Sequence, residues 1–155
     1  MTLRSVRPIH IVAAHLALVT GVIHLALGLL NWAQYASAGI LLPPDLRWPL
    51  FVVSGLAVVV GIVALVSGYP KRPLYVGGSV LMIVYIVGYF GWHVSGHRPL
   101  FVVGPGTHHH GSTVSYLLAH VVAGPAEFLS LASEAGLLVV LLYLLFTERT
   151  GESPN

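Results

Sequence analysis

The sequence predicts an all-α membrane protein, a bundle of four transmembrane helices with a short interfacial or re-entrant helix before the last span. The chain has 155 residues, of which 56% are hydrophobic and 8% are charged. Soluble domains carry roughly 25% charged residues. Four apolar segments each approach the length of about 20 residues that a helix needs to cross a bilayer. A chain of this length accommodates one such membrane domain and no second one.

Segments rich in helix breakers and polar residues separate these spans. The connection from Asn31 to Leu46 contains Pro43-Pro44, and the turn at 68–73 is short and basic. Residues 94–112 form a histidine-rich loop with several glycines and prolines, and residues 147–155 form a polar tail. The four spans are therefore predicted at residues 9–30, 48–67, 74–93 and 125–146.

The segment before the last span is apolar but too short to cross a membrane alone. A continuous helix from Thr113 to Phe146 would have about 34 residues, more than a bilayer requires. Gly124-Pro125 offers a break, because proline disfavours helical geometry in the residue before it. We therefore expect the short helix at Ser115–Ala123, followed by the fourth span.

Basic residues set the expected orientation in the cell membrane, because cytoplasmic flanks are enriched in Lys and Arg. With four spans, the side that holds both termini carries Arg4, Arg7, Lys71, Arg72 and Arg149, and the other side carries Arg47 and Arg98. We therefore expect cytoplasmic termini and an external histidine-rich loop. Ala36-Ser37-Ala38 looks like a signal-cleavage site, but the apolar run exceeds the roughly 7–15 residues of a signal core.

Composition excludes several classes of function. The chain has no Cys, which removes disulfides and thiolate chemistry. A net charge of +2 without an arginine-rich stripe does not suit nucleic acid. No nucleotide-binding loop or catalytic triad is present in the sequence. An enzyme is therefore less expected than a binding, transport or accessory component of the lipid bilayer.

Small residues recur along one stripe of each of the first three spans. Such stripes let helices approach closely within a bilayer. We interpret them as packing faces of the bundle, although the same faces are suited to a homo-oligomer or to another membrane protein. The stripes comprise Ala17, Gly21 and Gly28, then Ser54, Gly61 and Gly68, then Gly77, Gly88 and Gly91.

Two carboxylates lie within the last span, where an ionisable group is costly and normally has a partner. Glu127 and Glu134 are seven residues apart and share one helix face. The antiparallel first span places His24 at the depth of Glu134 and Asn31 at the depth of Glu127. We therefore predict a buried polar site of Glu134 and His24, extended by Glu127, Asn31 and Tyr85.

This polar site is open to several interpretations. A facing carboxylate and histidine can exchange a proton or bind a small ligand. The same pair can instead fix helix register, as part of a purely structural bundle. Glu127 alone is also explained by its place in the first turn of the last span, where a negative charge suits the helix dipole.

The nine histidines suggest a second site. Imidazole is a usual ligand for Zn or Cu, and six histidines are expected at the outer face. His93 and His97 would share a helix face if the third span continued past Gly96. A haem is the other option, if His24 and either His93 or His120 reach its iron together. The candidate metal ligands are His93, His97, His108, His109, His110 and His120.

Three short motifs carry a resemblance to a known group of proteins. They are the first-span segment at 15–25, the Gly-Tyr-Pro-Lys-Arg-Pro-Leu-Tyr turn at 68–75, and Glu134-Ala135-Gly136-Leu137-Leu138. In these motifs the chain resembles small four-helix membrane proteins of unknown function from halophilic archaea. The resemblance implies the four-span architecture and no activity, and the long histidine-rich loop departs from the pattern.

Overall fold

A computed structural model of the chain describes residues 7–98 and 112–151, with side chains to Thr147 in the last helix. Every regular element in these ranges is a helix, as the sequence predicts. The helices are α1 (Pro8–Ser37), α2 (Arg47–Val66), α3 (Lys71–Val94), α4 (Thr113–Val121) and α5 (Pro125–Gly151).

Four of these helices are long and apolar enough to cross a membrane: α1, α2, α3 and the Pro125–Thr147 part of α5. Between 11 and 28% of each span is buried inside the chain. Many Leu, Val and Ile side chains of these helices are exposed on the outside of the bundle. Because such a surface is stable only in lipid, the protein is a multi-pass membrane protein.

The helix ends differ from the predicted ones. α1 runs to Ser37, about two turns past the predicted end, because nothing in 31–37 breaks a helix. α3 begins at Lys71, so three residues assigned to the preceding turn, Lys71, Arg72 and Pro73, lie in its first helical turn, where a proline is tolerated. α5 continues to Gly151 through the first part of the predicted tail. The short helix before the last span is present at Thr113–Val121.

α1 lies between α2 and α5, and α3 packs mainly on α5. The α1–α2 contact is close because three glycines face it. A Cβ on Gly28 would lie 2.8 Å from Val52 Cγ2, and a Cβ on Gly55 would lie 3.1 Å from the Gly21 carbonyl oxygen. The predicted small-residue face of α1 is thus a packing face, but α2 uses Gly55 rather than Gly61. Among the described residues, no atom beyond the adjacent turns of the same helix lies within 4 Å of a Cβ built on Gly61, Gly77, Gly88 or Gly91.

The two ends of the bundle differ in chemistry. We call the end where α1 and α3 finish and α5 begins the histidine end, and the other the terminal end. The core toward the terminal end is mostly apolar, and Met82 and Leu144 are fully buried in it. Leu137 and Leu141 continue this core along α5 up to Glu134. Ser79 and Tyr75 are its buried polar residues, and most of the other described polar groups of the interior lie from Thr20 and Glu134 toward the histidine end.

Candidate functional site: a buried histidine–glutamate pair and a histidine cluster

The structure brings His24 of α1 and Glu134 of α5 together in the bundle interior. Their side chains are each 4% exposed, and His24 Nε2 lies 3.5 Å from Glu134 Oε1. His24 Nδ1 lies 2.9 Å from the Thr20 carbonyl oxygen, one turn earlier. A carbonyl only accepts hydrogen bonds, so Nδ1 carries a proton and Nε2 faces the carboxyl group.

Hydroxyl groups complete this site on both helices. The Ser130 hydroxyl donates to Glu134 Oε1 over 2.6 Å. Thr20 donates to Ser133 Oγ over 2.9 Å, and the Ser133 hydroxyl donates to the Ser130 carbonyl oxygen. The Thr20–Ser133 bond joins α1 to α5 directly beside the pair. Buried polar groups need such partners, and here the hydroxyls and the pair satisfy one another.

Aromatic rings enclose the imidazole. Tyr85 of α3 stacks on His24 with a centroid distance of 3.8 Å and an interplanar angle of 12°. Phe51 of α2 meets the same ring edge-on at 4.8 Å. All four long helices therefore contribute to this site, and stacking of the rings limits rotation of His24.

The two remaining residues of the predicted polar site lie apart from this pair. Asn31 Nδ2 donates to the Leu27 carbonyl oxygen of its own helix over 2.8 Å, and no hydrogen bond joins it to Glu127 within the described ranges. The Glu127 carboxylate folds back on the start of α5, since a Cβ on Gly124 would lie 2.5 Å from Glu127 Oε2. This position matches the dipole interpretation of Glu127.

A second polar cluster occupies the histidine end. His93, His97 and His120 each place one ring nitrogen so that all three lie within 4.8 Å of one another. Their ring centroids are 4.8 to 5.3 Å apart. His93 is buried, and the other two are half-buried. We call these three residues the histidine triad.

The end of α3 brings two members of the histidine triad together. From the sequence, His93 and His97 were expected to meet only if the third span continued as a helix past Gly96. The helix instead stops at Val94. Gly96 and His97 both have left-handed φ angles of 77° and 60°. The Gly96 N–H donates to the His93 carbonyl and the His97 N–H to the Trp92 carbonyl, the pattern of a Schellman cap. The cap folds His97 back beside His93.

Hydrogen bonds assign the protons of the histidine triad. His93 Nδ1 lies 2.8 Å from the Tyr89 carbonyl oxygen, and His120 Nδ1 lies 2.9 Å from the Tyr116 carbonyl oxygen. Both Nδ1 atoms therefore carry protons, which leaves the lone pair of each neutral ring on Nε2. His97 Nε2 lies 2.8 Å from the Tyr116 hydroxyl, which can accept from it or donate to it. Metal-binding histidines commonly make such a bond with their other ring nitrogen.

An aromatic side chain and an ion pair support the histidine triad. Trp92 stacks on His97 at 4.1 Å, and the Arg47 guanidinium lies 3.5 Å from the centroid of the same indole. Asp45 binds Arg47 through both carboxylate oxygens. The carboxylate compensates the arginine charge, which would otherwise repel a cation at the triad.

The haem arrangement expected from the sequence is not found among the described residues. His108, His109 and His110 lie outside the described residues. His24 stacks on Tyr85, which precedes His93 by eight residues, or about 12 Å along α3. Axial ligands of one haem both bind its iron. His24 and His93 are therefore too far apart along the bundle for that role.

Several contacts were not predicted from the sequence. Thr20 and Ser133 look like small packing residues of apolar spans, although each lies within four residues of a member of the buried pair. The hydrogen bond between Tyr116 and His97 was not predicted either, although Tyr116 lies one helical turn before His120 and so on the same face of α4. Nothing in the linear pattern indicates that Arg47 reaches Trp92.

No protein-family model, no curated protein and no solved structure matches this chain. A shared fold would in any case leave the activity undetermined. The function is therefore argued from the chemistry of the buried pair and the histidine triad.

Proposed function

We propose that this multi-pass membrane protein binds one divalent transition-metal ion, Zn²⁺ or Cu²⁺, through His93, His97 and His120. The observation that carries this proposal is the convergence of three imidazole nitrogens from α3, its cap and α4 within 4.8 Å. Three histidines with an open fourth position are a known zinc-ligand set.

The donor set fits these ions chemically. Neutral imidazole suits Zn, Cu, Fe and Ni, whereas Mg and Ca prefer oxygen ligands. Three nitrogens about 2.0–2.1 Å from a tetrahedral zinc lie about 3.3 Å apart. Nitrogens up to 4.8 Å apart must approach by up to about 1.5 Å to reach that spacing, through ring rotations and small shifts of α4 and of the cap at Gly96. The hydrogen bonds at His93, His97 and His120 orient the rings for this contraction.

The position of the triad favours a binding or accessory role. It lies at the histidine end, which the distribution of basic residues predicts to be outside the cell. α4 is too short to span a bilayer and supplies His120, and we expect it at the interface. Beyond the buried pair, the apolar side chains of Met82, Leu137 and Leu144 fill the core, and Ser79 and Tyr75 are the buried polar residues described there. The described residues therefore form no continuous polar route from the triad across the bundle, which favours binding over conduction.

Direct titration tests this function. Purified, tag-free protein in detergent is titrated with Zn²⁺ and with Cu²⁺ against a competing chelator. We expect one equivalent to bind, and His120→Ala to weaken binding by at least about a hundredfold, because it removes a ligand rather than a supporting bond. His15→Ala is the matched control, since His15 only bonds the Ile11 carbonyl on the exposed side of α1.

The histidines of the predicted loop are the alternative metal ligands, and a second variant tests them. A variant with His108, His109 and His110 all changed to Ala should keep its affinity. Loss of binding in that variant, with normal binding in His120→Ala, would contradict assignment of the site to the triad.

A further inference from the structure

The metal-binding proposal leaves the buried pair without a role. His24 Nδ1–H is held by the Thr20 carbonyl, so the pair has one further proton position, between Nε2 and Oε1. With a proton there, the pair is either a neutral acid beside a neutral imidazole or a carboxylate beside an imidazolium, and its net charge is zero. Without it, a carboxylate faces an imidazole lone pair and the site carries one negative charge.

The surroundings distinguish these states. The described neighbours of the pair are Thr20 on α1, Ser130 and Ser133 on α5, Phe51 on α2 and Tyr85 on α3, and Tyr89 lies one turn further along α3. Glu127 is two turns away at the start of α5. None is a cation within hydrogen-bond reach, and Arg47 is engaged by Asp45 at the histidine end. An uncompensated charge inside a membrane bundle is costly. The site therefore favours the form that holds the proton.

Buried hydroxyls mark a route from this pair toward the histidine end. Tyr85 and Tyr89 are one turn apart on α3, and their buried hydroxyl oxygens have no hydrogen-bond partner among the described residues. Ser54 lies near Tyr85, but the Ser54 hydroxyl donates to the Leu50 carbonyl of its own helix. Buried polar atoms in this state commonly have ordered water as their partner.

The core in the opposite direction is mostly apolar. Toward the terminal end the core continues with Met82, Leu137, Leu141 and Leu144, which are at most 7% exposed. On α3, Met82 lies between Tyr85 and the next buried polar residues, Ser79 and Tyr75, and its side chain relays no proton. This apolar layer favours exchange with bulk water at the histidine end over exchange at the terminal end.

We propose that His24 and Glu134 form a proton-binding site that holds one exchangeable proton and exchanges it with water at the histidine end, past Tyr85 and Tyr89. Within the pair, the O–H bond of Glu134 breaks as an N–H bond forms on His24 Nε2, with no change in net charge. On release, a water molecule takes the proton as hydronium, and the pair keeps one negative charge. The metal ion takes no part in either step.

Infrared difference spectroscopy between low and high pH tests the proton count. We expect one carbonyl-stretching band of a buried carboxylic acid, which decreases as pH rises and shifts in D₂O. Glu134→Gln should abolish the band, and Glu127→Gln should keep it. A band lost in Glu127→Gln instead, or the absence of both a pH-dependent carboxylic acid band and a pH-dependent imidazolium band, would overturn the proposal.

A second variant covers the case in which Glu134→Gln does not fold. Replacing the other four side-chain carboxylates as Asp45→Asn, Glu127→Gln, Glu148→Gln and Glu152→Gln leaves Glu134 as the one acidic side chain, and the band must remain.

In oriented vesicles, a pH step at the histidine end should change the band, and a step at the terminal end should not. An equal response from both sides would overturn the one-sided route. Tyr85→Phe and Tyr89→Phe should slow deuterium exchange at least about tenfold, and an unchanged rate would remove these residues from the route.

Discussion

The contact between α1 and α2 gives a quantitative test at Gly28. A Cβ on this residue would lie 2.8 Å from Val52 Cγ2 and 2.9 Å from both the Trp48 carbonyl oxygen and the Val52 amide nitrogen. Nonbonded heavy atoms prefer about 3.5–4.0 Å. Because two of the three neighbours are backbone atoms, α2 itself must move away by about 0.6–1.2 Å, the difference between these distances.

We therefore expect Gly28→Ala to lower the free energy of unfolding by about 1–3 kcal/mol, the usual cost of overpacking. Gly61→Ala on α2 is the matched control, because nothing lies within 4 Å of the added methyl group. That variant should be neutral or gain up to about 1 kcal/mol from helix propensity. Reversible unfolding of both variants in mixed detergent micelles measures the difference.

The same displacement would also move Phe51, which lies one residue before Val52, away from His24. We therefore expect the infrared band assigned to Glu134 to change in Gly28→Ala and to stay in place in Gly61→Ala. Equal stability of the two alanine variants would refute the close α1–α2 contact and the arrangement of the buried pair that depends on it.

Three further variants test individual contacts. Tyr116→Phe removes the hydroxyl bonded to His97 and should weaken metal binding about 10–100-fold in a chelator competition assay. Gly96→Ala places a side chain at φ 77°, costs roughly 1–2 kcal/mol in thermal or detergent unfolding, and should also weaken metal binding by displacing His97. Thr20→Val removes the hydrogen bond to Ser133 and should cost about 0.6 kcal/mol, and at most about 1.7, in the same unfolding assay.

Each of these variants has a control in the chain. Tyr69→Phe alters an exposed tyrosine and should keep the metal affinity. Gly39→Ala meets the same backbone penalty at φ 79° but should leave metal binding unchanged. Ser37→Ala removes a hydroxyl that bonds only within α1. Metal affinity that falls equally in both glycine variants would show that Gly96 acts through general stability rather than through His97.

Much of the architecture was predictable, because transmembrane helices are specified by length and hydropathy. The four spans and the short helix before the last one follow from apolar runs and from Gly124-Pro125. The facing of His24 and Glu134 was also predictable, since helical period and antiparallel depth determine which residues meet. The Asn31–Glu127 contact was expected on the same grounds, and the helix backbone at Leu27 instead takes the Asn31 side chain.

The histidine triad shows where sequence reasoning stops. Helical periodicity relates His93 to His97 only while the helix continues, and α3 ends before His97. The Schellman cap at Gly96 restores the contact through left-handed backbone, and periodicity carries no such information. His120 joins from α4, whose placement depends on tertiary packing. The resemblance to four-helix proteins of halophilic archaea, the oligomeric state and the membrane orientation stay predictions.

The most direct test of the metal-binding proposal is elemental analysis of the untagged protein purified from membranes. We expect about one equivalent of zinc or copper per chain, retained when His108, His109 and His110 are all changed to Ala. The combined variant His93→Ala, His97→Ala and His120→Ala should contain none, with an unchanged far-UV circular dichroism spectrum. Protein that neither contains nor takes up a stoichiometric ion, or a triad variant that still holds one, would contradict the proposed function.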